Sequence, residues 1–369
     1  MTRARWCSST HDLPVEIWGP VERAARFSGD VLMTFWRFSS LVLPLAIVNV
    51  GIIPLALAQS DRERPVKVFI LAGQSNMQGH GRIAMGKDGD LDYAAGQEQF
   101  AYLKKNGKWV ARDDVWYFHK SGRGDVVKGN LIPGQGANEN SVGPELAFGH
   151  VIGNRYDEQV LLIKCAWGGQ AIGMTFRPPG SSLPDNVTLQ TMYDRAKKKQ
   201  PDLTFDDFKA IFGSRYRQTL SEVNDVLSNL KQYFPEYQGQ GYQIAGFLWH
   251  QGWNDATGKQ FAQEYEANMT HFIKDMREDL GNENLPFVIA TSGMGGPDAT
   301  GVAGFLAKSI EPAQMAAAEK YDHCVAVPTR HFQKHKPGRQ KSHWHNSAES
   351  YCLVGDASGK AMIKLLDGK

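Results

Sequence analysis

From about residue 64 onward, short and nearly unbroken apolar runs alternate with longer stretches whose apolar residues recur at helical spacing. The runs cover residues 66–72, 160–166, 244–249, 287–291 and 324–328. Each is rich in β-branched or aromatic residues and ends in Gly, Ser or a polar pair, which predicts buried strands whose last residues gather at one edge. Amphipathic helices are expected over 144–152, 215–233, 261–280, 305–321 and 348–366. Strands alternating with helices imply βαβ units, right-handed crossovers and a parallel sheet covered on both faces. Residues 78–142 and 170–212 read as long loops, and loops of that length tend to be lids or binding walls.

The first run leads straight into Gly73-Gln74-Ser75-Asn76-Met77-Gln78-Gly79-His80. Ligands of open α/β sheets bind at the carboxyl ends of the strands. A serine there, between glycines that let the backbone turn tightly, suits a nucleophile at the mouth of a site. A plain helix N-cap is the other reading, because Ser and Asn are favoured caps.

Composition narrows the class. The 369 residues are 42% hydrophobic and 22% charged, as in a soluble globular protein. A net charge of +2 gives no reason to expect nucleic acid or an acidic surface as partner. Arg37 precedes an apolar stretch, 41–57, that runs into Ala56-Leu57-Ala58 before Gln59, the pattern of a secretory signal peptide. Pro44, Asn49, Gly51 and Pro54 interrupt it, which weakens a membrane anchor. Residues 1–58 are thus expected to be an N-terminal extension plus leader, with Met33 the more natural start. Residues 59–369 would form a single domain, secreted or periplasmic, with no stable membrane span in the mature chain. Of the four cysteines, Cys165 reads as an inert core thiol, and a Cys324–Cys352 disulfide is left open. No Cys-x-x-Cys or His-Glu-x-x-His pattern occurs, and neither a metal nor another cofactor is expected.

Four strand-end sets carry the chemistry: Gly73 to Met77, Asn140-Ser141-Val142-Gly143-Pro144-Glu145, Trp249-His250-Gln251-Gly252-Trp253-Asn254-Asp255, and His343-Trp344-His345-Asn346-Ser347-Ala348. Serine ester hydrolysis needs a nucleophile, a base and donors aimed at the developing oxyanion. The four sets supply a serine, a glycine N–H, a carboxamide and a histidine.

In that order the sets resemble the SGNH hydrolases, and in particular the sialate O-acetylesterase / acetylxylan esterase (carbohydrate esterase family 6) domain. The resemblance spans residues 66–366 and rests on Gly73-Gln74-Ser75-Asn76-Met77 and His250-Gln251-Gly252. It implies a flavodoxin-like three-layer α/β/α sandwich with a central parallel sheet. It also implies Ser75 as nucleophile, with the N–H groups of Ser75 and Gly143 and a side-chain amide forming the oxyanion hole. Gln251 is favoured for that amide, with Asn254 close behind. His343 is the expected base and His345 the runner-up, left as a surface or substrate-contacting residue.

The acid departs from the family pattern. Gln340 and Ser342 stand where Asp-x-x-His would put a carboxylate, and Trp253 replaces a glutamate after His-Gln-Gly. Asp255 is the nearest carboxylate and the expected third member, with a dyad as the alternative. Gln74, Gly169, Gln170, His250 and His345 are expected to bind substrate. Arg177 is either a partner for an acidic sugar or an exposed loop residue, and Glu145 has no need of more than the helix dipole. The resulting expectation is an exported esterase that removes O-acetyl groups from an oligo- or polysaccharide through an acyl-serine. A catalytically degenerate carbohydrate-binding protein and an O-acyltransferase are the rivals.

Overall fold

The computed structural model describes residues 64–368. The leader, the Met33 start and the boundary at residue 59 lie outside the described residues. Seven strands form the main sheet: β1 Val66–Gly73, β2 Arg112–Lys120, β3 Val126–Leu131, β4 Val160–Ala166, β5 Tyr242–His250, β6 Phe287–Ala290 and β7 Cys324–Val327. Their order is β7-β6-β5-β1-β4-β2-β3, parallel throughout except that β3 runs antiparallel to β2 at the edge.

The helices used below are α1 Ser75–Gln78, α2 Glu145–Gly153, α3 Ser214–Ser228, α4 Lys259–Asp279, α5 Glu311–Ala318 and α6 Ala348–Leu366. Strand alternation sorts the core into two layers. Phe247 and Trp249 of β5 meet Phe272 of α4, with ring centroids 6.0 and 4.5 Å apart. On the opposite face Phe69 of β1 meets Phe148 of α2 at 5.9 Å, and Gly246 leaves room for Met362 of α6. The sheet is therefore the middle of three layers. Truncating Phe272 to alanine should cost about 3–5 kcal/mol, the usual range for a buried aromatic.

Two readings of long loops need correction. Residues 78–142 contain β2 and β3, and Val115 to Phe118 are buried within β2. Residues 170–212 hold helices Asn186–Lys197 and Phe205–Ala210, which share a small core of Leu189, Tyr193, Phe208 and Phe212. The segment 305–321 is not one helix, because a π-helical turn at Leu306–Ile310 precedes α5. Cys165, Cys324 and Cys352 are all free thiols, so 324 and 352 are not bridged. No helix among the described residues is long and apolar enough to cross a membrane.

Central β1 lies between β4 and β5, at the point where the chain switches from building one side of the sheet to the other. Crevices at such switch points are where open α/β sheets hold ligands. Gly73 pairs with Ala166 and with His250, so the segments that follow all three strands emerge level with Ser75.

Candidate active site

At Gly73, the last residue of β1, a side chain would run into the His250 carbonyl, so only glycine fits. The chain then turns into α1, a single turn that begins at Ser75 and ends at Gly79, whose φ of 92° and contact with Gly143 both call for glycine. Ser75 is thus the first residue of a short helix, and among the described residues its N–H has no hydrogen-bond acceptor.

Ser75 Oγ and His343 Nε2 are 2.9 Å apart, across 268 residues of sequence. His343 sits in a loop before α6 in which Trp344, His345 and Asn346 all have left-handed φ values of 50°, 52° and 63°. Such residues cost about 1–3 kcal/mol each, so the surroundings must hold them. Trp344 is fully buried, and Asn346 Nδ2 donates to the His80 carbonyl at 3.1 Å and to Gln340 Oε1 at 2.6 Å. Asn76 ties the loop to α1, donating to the Ser342 carbonyl at 2.9 Å while Tyr351 donates to its Oδ1 at 2.7 Å. His345 turns away, its Nδ1 3.3 Å from the Gly338 carbonyl. Of the two histidines, His343 is the one that meets Ser75.

Asp255 does not reach His343. Its buried carboxylate accepts from the N–H groups of Ile172 at 3.1 Å and Gly173 at 2.9 Å, and from Gln251 Nε2 at 2.5 Å. Burial pushes its pKa up to about 6. Asp255 therefore closes the turn after β4 rather than orienting the base. His343 Nδ1 is buried with no hydrogen-bond partner, and burial lowers the pKa of the imidazole. What supports the ring is His80, stacked on it with centroids 4.1 Å apart and planes 12° from parallel.

Two of the expected oxyanion donors are engaged elsewhere. The Gly143 N–H donates to Glu145 Oε1 at 2.7 Å, and Glu145 is itself held by Lys164, whose Nζ lies 3.0 Å from Oε2. Gln251 Nε2 donates to Gln74 Oε1, the Gln170 carbonyl and Asp255. The Asn254 side chain differs: its Oδ1 accepts from Gln74, and its Nδ2 has no acceptor among the described residues. Gly168 and Gly169 lie open between the two groups. A side chain on the first would stand 4.0 Å from Ser75 Cβ, and one on the second 3.9 Å from Asn254 Nδ2.

The expected substrate residues divide. Gly169 is exposed beside Asn254, and half-buried Gln170 folds back so that its Nε2 donates to the Gly168 carbonyl at 2.6 Å. Gln74 is buried and clamps the 251–254 turn, its Oε1 accepting from Gln251 Nε2 and from the N–H groups of Gly252 and Asn254. His250 is buried beneath Trp344, bonded through Nδ1 to the Ala290 carbonyl, and held neutral by burial with a pKa of about 4. Both side chains are closed off from solvent. Arg177 is likewise unavailable, since its guanidinium bonds Glu264 and the carbonyls of Gly173 and Ser182. Sequence reasoning gave no role to Asn76 or His80 and only the helix dipole to Glu145, although all three lie inside the quoted motifs, and Lys164 passed as part of a buried strand.

Residues 65–364 match the family model described as carbohydrate esterase, sialic acid-specific acetylesterase. The chain belongs to this family. It is accordingly a carbohydrate esterase, a hydrolase of ester bonds on a carbohydrate substrate. A probable carbohydrate esterase of Arabidopsis thaliana is 25% identical to this esterase over 243 residues, covering 63% of this chain and 71% of that one. The X-ray structure of an Arabidopsis thaliana protein superposes with a TM-score of 0.49 at 20% identity, covering 82% of this chain and 99% of the other. A carbohydrate acetylesterase from Xanthomonas citri superposes at 0.48 with 15% identity, over 82% of this chain and 57% of its own.

Proposed function

We propose that this carbohydrate esterase removes O-acetyl groups from an oligo- or polysaccharide through an acyl-serine intermediate. The observation that carries the reading is the 2.9 Å contact between Ser75 Oγ and His343 Nε2. Ser75 Oγ attacks the acetyl carbonyl as its proton passes to His343 Nε2, and the carbonyl electron pair moves onto oxygen. The Ser75 N–H and Asn254 Nδ2, both unengaged, receive that oxyanion. The tetrahedral adduct collapses, the C–O bond to the sugar breaks, and His343 protonates the departing sugar oxygen. Water then attacks the acetyl-serine with its proton going to His343, and acetate leaves as the proton returns to Ser75. The base works as a dyad, with the His80 ring and the loop backbone fixing its orientation in the place of a carboxylate.

Ser75→Ala should keep the fold and lose acetate release from acetylated glycans and from p-nitrophenyl acetate; unchanged turnover would refute the mechanism. The unpartnered Nδ1 of His343 also suits a carbohydrate-binding protein that has lost catalysis. Labelling of Ser75 by a fluorophosphonate separates the two, because only an activated serine reacts. An O-acyltransferase would instead pass the acetyl group to an added sugar alcohol. The reading includes export, on the strength of the apolar stretch ending at Ala58, and predicts a mature protein that begins at Gln59.

A further inference from the structure

A short antiparallel ladder links the reactive centre to a second feature. Gly81 pairs with Val142 and Arg82 with Ser141, and the Ile83 N–H extends the ladder to the Asn140 carbonyl at 3.3 Å. One end of this ladder runs into His80 and Gly143, beside Ser75. The other end opens on a cavity of about 600 Å³ lined by Arg82, Met85, Trp109, Pro133, Glu139 and Asn140, among others. Two strand residues at about 3.3 Å each put Arg82 roughly 7 Å from His80. Arg82 is near enough for its charge to help lower the His80 pKa.

The lining has the chemistry of a sugar site. Arg82, Glu139 and Asn140 are exposed, and among the described residues none of their side chains has a hydrogen-bond or ion-pair partner, Asn140 donating only through its backbone N–H to Asn138 Oδ1. Together they present a planar donor, a planar acceptor and a group that is both, which suits neighbouring hydroxyls on a ring. Trp109 contributes an aromatic surface, steadied by Lys104 Nζ 4.2 Å from its ring centre. Opposite charges on one wall favour a neutral ligand with many hydroxyls over an anion.

We propose that this cavity is a subsite for a second, neutral pyranose unit of the same glycan, next to the unit that carries the acetyl ester. The proposal rests on the esterase reading for the location of that ester. It makes the enzyme one that prefers oligosaccharides to acetylated monosaccharides.

The test uses a ladder of acetylated xylo-oligosaccharides from monosaccharide to hexasaccharide, with p-nitrophenyl acetate as the reference ester. For the wild-type chain, kcat/KM should rise about tenfold from the monosaccharide to the longer members, equivalent to about 1.4 kcal/mol. Arg82→Ala and Asn140→Ala, both at exposed positions, should each shrink that ratio severalfold. No dependence on chain length, or a ratio unmoved by both variants, overturns the subsite while hydrolysis of the reference ester leaves the esterase reading intact. Should the wild-type chain fail on every ester, the esterase reading falls. Calorimetric binding of unacetylated xylo-oligosaccharides, weakened by Arg82→Ala, still decides the subsite.

Discussion

The imidazole of His80 lies flat against that of His343, 4.1 Å away and 12° from parallel, on the ring whose Nε2 meets Ser75. His80 is held uncharged by burial first, then by the nearby His343, Lys164 and Arg82, with a pKa of about 4. In the proposed mechanism it therefore acts on the base as a neutral plate that fixes its angle and screens it from water. His80→Phe, which keeps a flat ring, should retain most of kcat. His80→Ala should lose about ten- to a hundredfold, the scale of effect expected when a reacting group is misplaced by an ångström. Steady-state kinetics of the two variants side by side checks this.

The acid limb of the pH–rate profile should lie below the ordinary histidine value. Burial depresses the His343 pKa, so the neutral, proton-accepting form persists to lower pH, and kcat/KM should rise with pH through an ionisation below 6.5. In His80→Ala, water reaches the ring, the desolvation is relieved, and the limb should move up towards 6.5. A limb at or above that value in the wild-type enzyme contradicts the buried base.

Asn254→Ala should lower kcat by about a hundred- to a thousandfold with little change in KM, as for loss of one oxyanion donor. Gln251→Ala should show a different signature, a fall in melting temperature, because its Nε2 joins Gln74, Gln170 and Asp255 rather than facing the ester.

Asp255 offers a sharper contrast. Its folded-state pKa is raised by burial from 3.8 to about 6, so the folded state binds the extra proton between those values and stability falls as pH rises through that window. Asp255→Ala strips the acceptors from the Ile172 and Gly173 N–H groups and should lower the melting temperature. The folded fraction should keep its acid limb and avoid the roughly ten-thousandfold loss in kcat that follows removal of a triad carboxylate.

Glu145 and Lys164 form a fully buried pair that also binds the Gly143 N–H and the carbonyls of Gln78 and Gln135, clasping the walls around α1. Burial pushes each partner towards its neutral form. Lys164→Met or Glu145→Gln alone should cost about 3–5 kcal/mol, since one buried charge is left without its partner. The double variant Lys164→Met with Glu145→Leu should recover much of that loss, read from urea midpoints.

Local pattern alone determined the parallel strands β1, β4, β5, β6 and β7, the terminal helix at 348–366, and the serine and histidine segments at opposite ends of the described chain. Periodicity and strand-end glycines are properties of a few neighbouring residues, so they are readable without a fold. Strand β2 escaped because Arg112-Asp113-Asp114 breaks its apolar character and only Val115 to His119 are buried at its centre, while β3 is an exposed edge. Which polar groups stay free was decided by tertiary structure. Asp255 and Gln251 each had the right chemistry, yet each is satisfied by groups brought in from elsewhere, Ile172 and Gly173 for one and Gln74 for the other, while the Gly143 N–H is taken by Glu145 two residues on, itself held in place by Lys164. The stacking of His80 on His343 likewise joins residues 263 positions apart in number. A buried polar group binds whichever partner folding delivers, and that competition is settled in three dimensions.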